Sequence, residues 1–138
     1  MSNSEKNNIE VNYKNNRKIA KFLGFTSVKS KSLNANVWSG EMEDPWKTRL
    51  QGVLDIKNNL KFDHDYNWLM DALQTIPNCE KIKNKKYHVQ FFLTRFSSIS
   101  IRDNNSNLVF RYISPSLDWK TSMYDVLVNF VEWYNKLK

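Results

Sequence analysis

Asp63, His64 and Asp65 stand side by side. A histidine between two carboxylates has the donor types of a metal site, or of a general base oriented by an acid. Adjacent residues at a helix start project in different directions, however, so three neighbours do not converge on one ion. The segment reads better with Asp63 as a helix N-cap and His64 in solvent. His88 is the only other histidine, and a small hydrolase using His64 or His88 is one of three functional readings. Cys79, the single cysteine, excludes a disulfide framework and a cysteine-based zinc site. It follows Pro77-Asn78 and reads as a half-buried, inert thiol. Ser97, Ser98 and Ser100 lie in or beside a strand with no base in view. Three glycines build no phosphate-cradling loop of the usual kind, and no H-E-x-x-H or G-x-S-x-G occurs. No metal site and no cofactor are expected.

A second constellation combines cations with aromatic rings. Lys29, Lys31, Trp38 and Trp46 fall in one long irregular stretch, and Lys83, Lys85 and Lys86 precede a strand that ends before Arg95; Arg111 lies on a later strand. Aromatic faces stack on bases and cations hold phosphates. These residues have the chemistry for binding a nucleotide or a single strand, without the groups to cleave it. The competing reading is a solvated basic loop, with the two tryptophans in a satellite core.

The charge balance needs dissection before it supports either reading. The chain of 138 residues carries 21 Lys+Arg against 14 Asp+Glu, a net charge of +7. Sixteen of the cations are Lys and five are Arg, and there are 18 Asn. A/T-rich codons produce that drift without selection, and Arg, the better bidentate phosphate ligand, is scarce. Residues 1–36 hold seven cations and two anions, residues 81–95 five cations and no anion, and the intervening 37–80 an excess of acid. The surface is therefore polarised, which argues against general DNA binding and for a local anionic ligand.

The elements that would position these groups make one domain. Residues 1–14 read as a disordered or frayed N-terminus, and 15–138 as a single α/β domain. Ile19, Ala20 and Leu23 mark a short helix from about Asn15, stopped by Gly24 with Phe25 folding back. Thr26–Asn36 reads as a polar loop. Asp44-Pro45 could start a helix, but the alternation of Leu50, Gly52, Leu54 and Ile56 favours a strand near Gln51–Ile56. Asp63–Ile76 is a helix with an apolar stripe of Leu69, Ala72, Leu73 and Ile76, stopped by Pro77. Glu80–Lys86 reads as a basic loop.

Tyr87–Leu93, Ser98–Arg102 and Leu108–Ile113 are strands, the last two joined by the turn cluster Asp103–Asn107. A hairpin symmetric about Asn105 would place Ile99, Ile101, Val109 and Arg111 on one face, and Ser98, Leu108, Phe110 and Tyr112 on the other. Both faces would then carry large apolar groups and need cover. Trp119–Leu137 is the longest helix, its wide apolar arc suited to packing on a sheet. The expected class is α+β: an antiparallel sheet of three to four strands with helices packed on it. No run of apolar residues is long enough to span a membrane, and the polar N-terminus lacks a secretory signal, so a cytoplasmic protein is expected.

Three segments carry a resemblance: Arg17–Phe25, Leu60–Met70 and Met123–Asn135. They resemble the "IAxFxG", "LxFxxDxNWLM" and "FIxWYN" motifs of small uncharacterised proteins of Bacteroidota phages and prophages. The resemblance covers most of residues 15–137 and implies an α/β/α sandwich. It departs over Thr26–Asn59, which is longer here and holds Trp38 and Trp46. It implies no catalytic mechanism, since Trp68, Leu69, Phe130, Trp133 and Tyr134 read as packing residues. The leading expectation is a non-enzymatic phage accessory protein in the infected bacterial host. It would be an anti-defence factor that sequesters a nucleotide signal or binds a host defence protein, with a homo-oligomer as one possible form. Nucleic-acid binding and the small hydrolase are the alternatives.

Overall fold

Helix α1 spans Asn3–Phe22, because Asn16, Ile19, Ala20 and Leu23 recur at i, i+3, i+4 and i+7 and are all buried. The computed structural model describes residues 3–138. The helix starts at Asn3 rather than near Asn15, so from Asn3 onward the segment expected to fray has helical backbone; Met1 and Ser2 lie outside the described residues. Its end follows the expectation. Gly24 takes φ 94°, its N–H donates to Lys21 O, and the N–H of buried Phe25 donates to Ala20 O. Those two bonds occupy carbonyls that a helix end otherwise leaves open.

The chain divides into two compact units, one ending at Lys61 and one running Phe62–Lys138. In the first, Thr26–Ser30 (β1) and Ala35–Ser39 (β2) form an antiparallel hairpin, which corrects the polar loop expected at Thr26–Asn36. The strand expected near Gln51–Ile56 is reduced to one bridge, Val37 to Leu54. Around it, Trp38 N–H donates to Val53 O and Gly52 N–H to Trp38 O. The rejected alternative forms instead: Trp46–Leu50 is a short helix, α2. Asp44 Oδ1 accepts from the Thr48 backbone N–H at 2.8 Å and from its hydroxyl at 2.6 Å. Asp55, with its side chain 4% exposed, ties the unit together. It accepts from Tyr13 of α1 and Ser27 of β1, and pairs with Arg17 at 3.2 Å.

The second unit holds α3 (Tyr66–Thr75), a 3-10 turn (Ile76–Asn78), α4 (Glu80–Asn84) and α5 (Trp119–Lys136). Its sheet has the order β3 (His88–Phe92), β4 (Ser98–Arg102), β5 (Leu108–Ile113), antiparallel throughout. The N-cap of α3 is Asp65, not Asp63: Asp65 Oδ1 accepts from the N–H groups of Asn67 and Trp68. The expected stripe of Leu69, Ala72, Leu73 and Ile76 is buried. Glu80–Lys86, expected as a loop, is helical to Asn84, and Lys81 Nζ donates to the carbonyls of Tyr134 and Leu137 at the end of α5. Asp118 caps the other end of α5 through Thr121.

The class is α+β, with the three-stranded antiparallel sheet and its packed helices as expected. The expected faces differ, because a register irregularity falls between Ile101 and Arg102. Arg102 pairs with Leu108 while Ile101 pairs with Phe110, leaving Val109 as an extra residue. Every residue of β5 after it changes face relative to a symmetric hairpin. The inner face therefore carries Val89, Ile101 and Phe110 in one row, and Phe91, Ile99 and Tyr112 in the next. Helix α5 lies against β4 and β5, with Trp133 stacked on Phe110 at 4.9 Å between centroids. Among the described residues, most side chains on the outer face of the sheet are exposed.

Candidate open sheet face

The open face is a grid of three rows read across β3, β4 and β5. The pairing aligns His88, Arg102 and Leu108 in the first row, Gln90, Ser100 and Arg111 in the second, and Phe92, Ser98 and Ile113 in the third. Seven of the nine are exposed, and the central Ser98 and Ser100 are half-buried. Ser98 and Ser100 are small residues on β4, between longer side chains of β3 and β5. The face holds two arginines and no carboxylate. Phe92, 58% exposed, presents a free ring. Arg102 Nη1 donates to Ser106 O in the adjoining turn at 3.1 Å.

Buried polar contacts hold the grid in place. Ser97, Ser114 and Ser122 are fully buried. Ser122 Oγ accepts from the Ser97 N–H, Ser97 Oγ donates to Thr94 O, and Ser114 N–H donates to Ser97 O. The β3–β4 turn and the end of β5 are thereby fastened to α5. Asp125 of α5 accepts from Tyr112 Oη at 2.7 Å and Ser114 Oγ at 2.9 Å. Burial, and secondly that bond to Asp125, push the Tyr112 phenol up to about 12.

The residues singled out in the sequence are scattered. Arg111 sits in the middle row of the open face, on the edge strand β5, and Arg95 is exposed in the turn after β3. Lys83 lies on α4, with Lys85 and Lys86 in the turn between α4 and β3; all three are exposed. Lys29 and Lys31 are exposed on β1 and the turn beyond it, in the other unit. Trp38 and Trp46 are 0% and 2% exposed. Both are core residues whose ring faces no base can reach, so the stacking role expected of them is corrected. Arg17 lies over the Trp38 ring and Arg49 over that of Trp46, at 5.8 and 5.1 Å.

The catalytic candidates do not assemble. His64 Nδ1 meets Asp63 at 3.2 Å while Asp65 caps α3, so the three neighbours diverge. Among the described residues no group of three metal-ligating side chains comes together. His88 is on the open face, in the row of Arg102 and Leu108. The Cys79 thiol is pushed up to about 12 by burial, which disfavours the thiolate a nucleophile requires. Sequence reasoning missed Gln90, Phe92, Ser98, Ser100 and Arg102 as a group. The polar alternation of β3 and β4 was the available signal, and Arg111 beside two buried isoleucines was a warning that the assumed register was off by one.

No protein-family model, no curated protein and no solved structure matches the chain. Among the described residues, no helix is long and apolar enough to cross a membrane.

Proposed function

We propose that the protein is a non-enzymatic phage accessory protein whose open sheet face sequesters a nucleotide-class anion. The observation that carries this reading is Arg111, exposed beside Ser100 on a face without carboxylates, with Phe92 offering a ring beside Ser98. Arg111 supplies a bidentate fork for phosphate. Phe92 supplies a stacking surface for a base. The serine hydroxyls supply short-range donors and acceptors between them. Phe92 and Arg111 are two strands and one row apart, which at standard sheet spacings is about 12 Å. That span suits a dinucleotide, cyclic or linear, better than a mononucleotide. The phage resemblance supports an accessory, binding role.

Exposed cations at both ends of β3, Lys85 and Lys86 before it and Arg95 after it, favour a second reading in which the ligand is a single-stranded nucleic acid tracking along that strand. Calorimetric titration of the purified protein separates the two. The panel holds cyclic and linear dinucleotides and short single-stranded DNA and RNA, each at two salt concentrations. The first reading expects dinucleotide binding, weakened about 10- to 100-fold in Arg111→Gln, as for loss of a charge-assisted hydrogen bond. No heat with any dinucleotide sinks it. Strongly salt-dependent binding of the oligonucleotides alone supports the second.

A further inference from the structure

Both ends of a sheet are strands with one unpaired edge, and here the two edges differ. β3 has the 3-10 turn Ile76–Asn78 close to it. β5 is the last strand in the order β3-β4-β5, with no strand on its outer side among the described residues. Natural edges are blunted by Pro, by Lys or by a bulge. In Leu108–Ile113 there is no Pro and no Lys, and the bulge falls at the end near Leu108. The half from Phe110 to Ile113 is regular, Arg111 is its one charge, and Ile113 is 50% exposed.

Which backbone groups face outward follows from one hydrogen bond. Ser114 N–H donates to Ser97 O at 2.9 Å, so the backbone of Ser114 faces the β4 side. Alternation along an antiparallel strand then turns Tyr112 and Phe110 to β4, and turns the N–H and C=O of Ile113 and Arg111 outward. The side chains of those two outward residues are both on the open face.

We infer that β5 pairs antiparallel with β5 of a second copy of this chain, about a two-fold axis at Tyr112. Outward residues admit three such registers: Arg111 on Arg111, Ile113 on Ile113, or each Arg111 on the Ile113 of the other copy. The first opposes like charges, and each of the first two leaves an outward residue of both strands without a cross-strand partner. The third engages both outward residues of both strands. It lays the aliphatic stem of Arg111 along an otherwise exposed Ile113 and keeps the two guanidinium groups apart. An isologous pairing of this kind closes on itself and joins the two three-stranded sheets into one. Both open faces then lie on the same side of a continuous sheet.

Sedimentation velocity on the ligand-free full chain tests this, in a dilution series reaching about 100 μM, a range that detects a weak dimer. The expected result is a reversible dimer. Ile113→Lys places a cation beside Arg111 of the other copy and weakens it at least about tenfold. Arg111→Pro removes an outward N–H that β4 does not use, so the fold persists by circular dichroism while the dimer is lost. Phe92→Lys, on the other edge strand, leaves association unchanged. A chain that stays monomeric across the series overturns the inference, as does an Ile113→Lys variant that associates like the wild type. Because no ligand is present, neither result depends on what the open face binds.

Discussion

Arg111 stands directly across from Ser100 on the exposed side of the sheet, and Val109 is the reason. The extra residue lets Leu108 pair with Arg102 and Phe110 with Ile101, so Phe110 and Tyr112 enter the core and Arg111 leaves it. A deletion of Val109 joins these two pairs into a regular ladder with the same faces. Because it removes a half-buried residue but restores a regular ladder, it is expected to be the milder of two deletions at this position. Deleting Phe110 instead also closes the ladder and leaves Arg111 outward, but it seats Val109 across from Ile101 and removes the ring stacked on Trp133, so it is expected to cost distinctly more. Urea denaturation of the two deletion variants distinguishes them.

The sheet strands were legible because their residues alternate strongly; Ser98–Arg102 and Leu108–Ile113 are bounded in the structure as their sequences suggest. Their relative register was not, since nothing local in Leu108–Ile113 marks Val109 as unpaired. The hairpin of β1 and β2 escaped because the strand Thr26–Ser30 has no buried residue, so hydrophobic alternation had nothing to act on. Helix α4 escaped for a similar reason: Ile82 is its one buried residue, too few for a stripe. Trp38 and Trp46 show the limit of composition. Cations near an aromatic in sequence suggest a ligand site, yet the cation–π partners here are Arg17 and Arg49 over rings in the core. Among the expected site residues only Arg111 lies on the open face, and its role there depends on the bulge.

Asp125 links the end of β5 to α5 through Tyr112 and Ser114, and its contribution is testable by pH. The Tyr112 phenol is raised from its ordinary value of 10.0 to about 12, first by burial and then by its bond to Asp125. A raised folded-state value means that the unfolded chain loses its proton first as pH increases. Stability from this group is full below about pH 10 and is lost as pH rises through about 12. Denaturation at intervals across that window is expected to show falling stability, with a shallower fall in Tyr112→Phe. At neutral pH the same substitution is expected to cost about 1–2 kcal/mol through the lost hydrogen bond to a charged acceptor.

The identity of the α3 cap yields a sharp substitution test. Asp65 Oδ1 receives two backbone N–H groups, from Asn67 at 2.9 Å and Trp68 at 3.2 Å. Asp65→Ala is expected to lower stability by about 1 kcal/mol, and Asp65→Asn by distinctly less, since Asn caps nearly as well. Equal losses in the two variants, measured by chemical denaturation, would show that the carboxylate matters for some reason other than capping.

Trp38 and Trp46 should separate stability from binding. Both are buried, so each truncation to Ala is expected to cost about 3–5 kcal/mol, as for large aromatic residues in a core. Trp38→Phe should be milder than that range. The Trp38 Nε1 is buried without a hydrogen-bond partner among the described residues, and Phe removes that unpaired donor along with the lost volume. If the open face is where ligand binds, Trp38→Phe leaves affinity unchanged, whereas Phe92→Ala weakens it roughly tenfold through lost stacking. Calorimetry on the two variants at a temperature where both are folded decides the matter. A larger loss of affinity in Trp38→Phe than in Phe92→Ala would move the site away from the sheet.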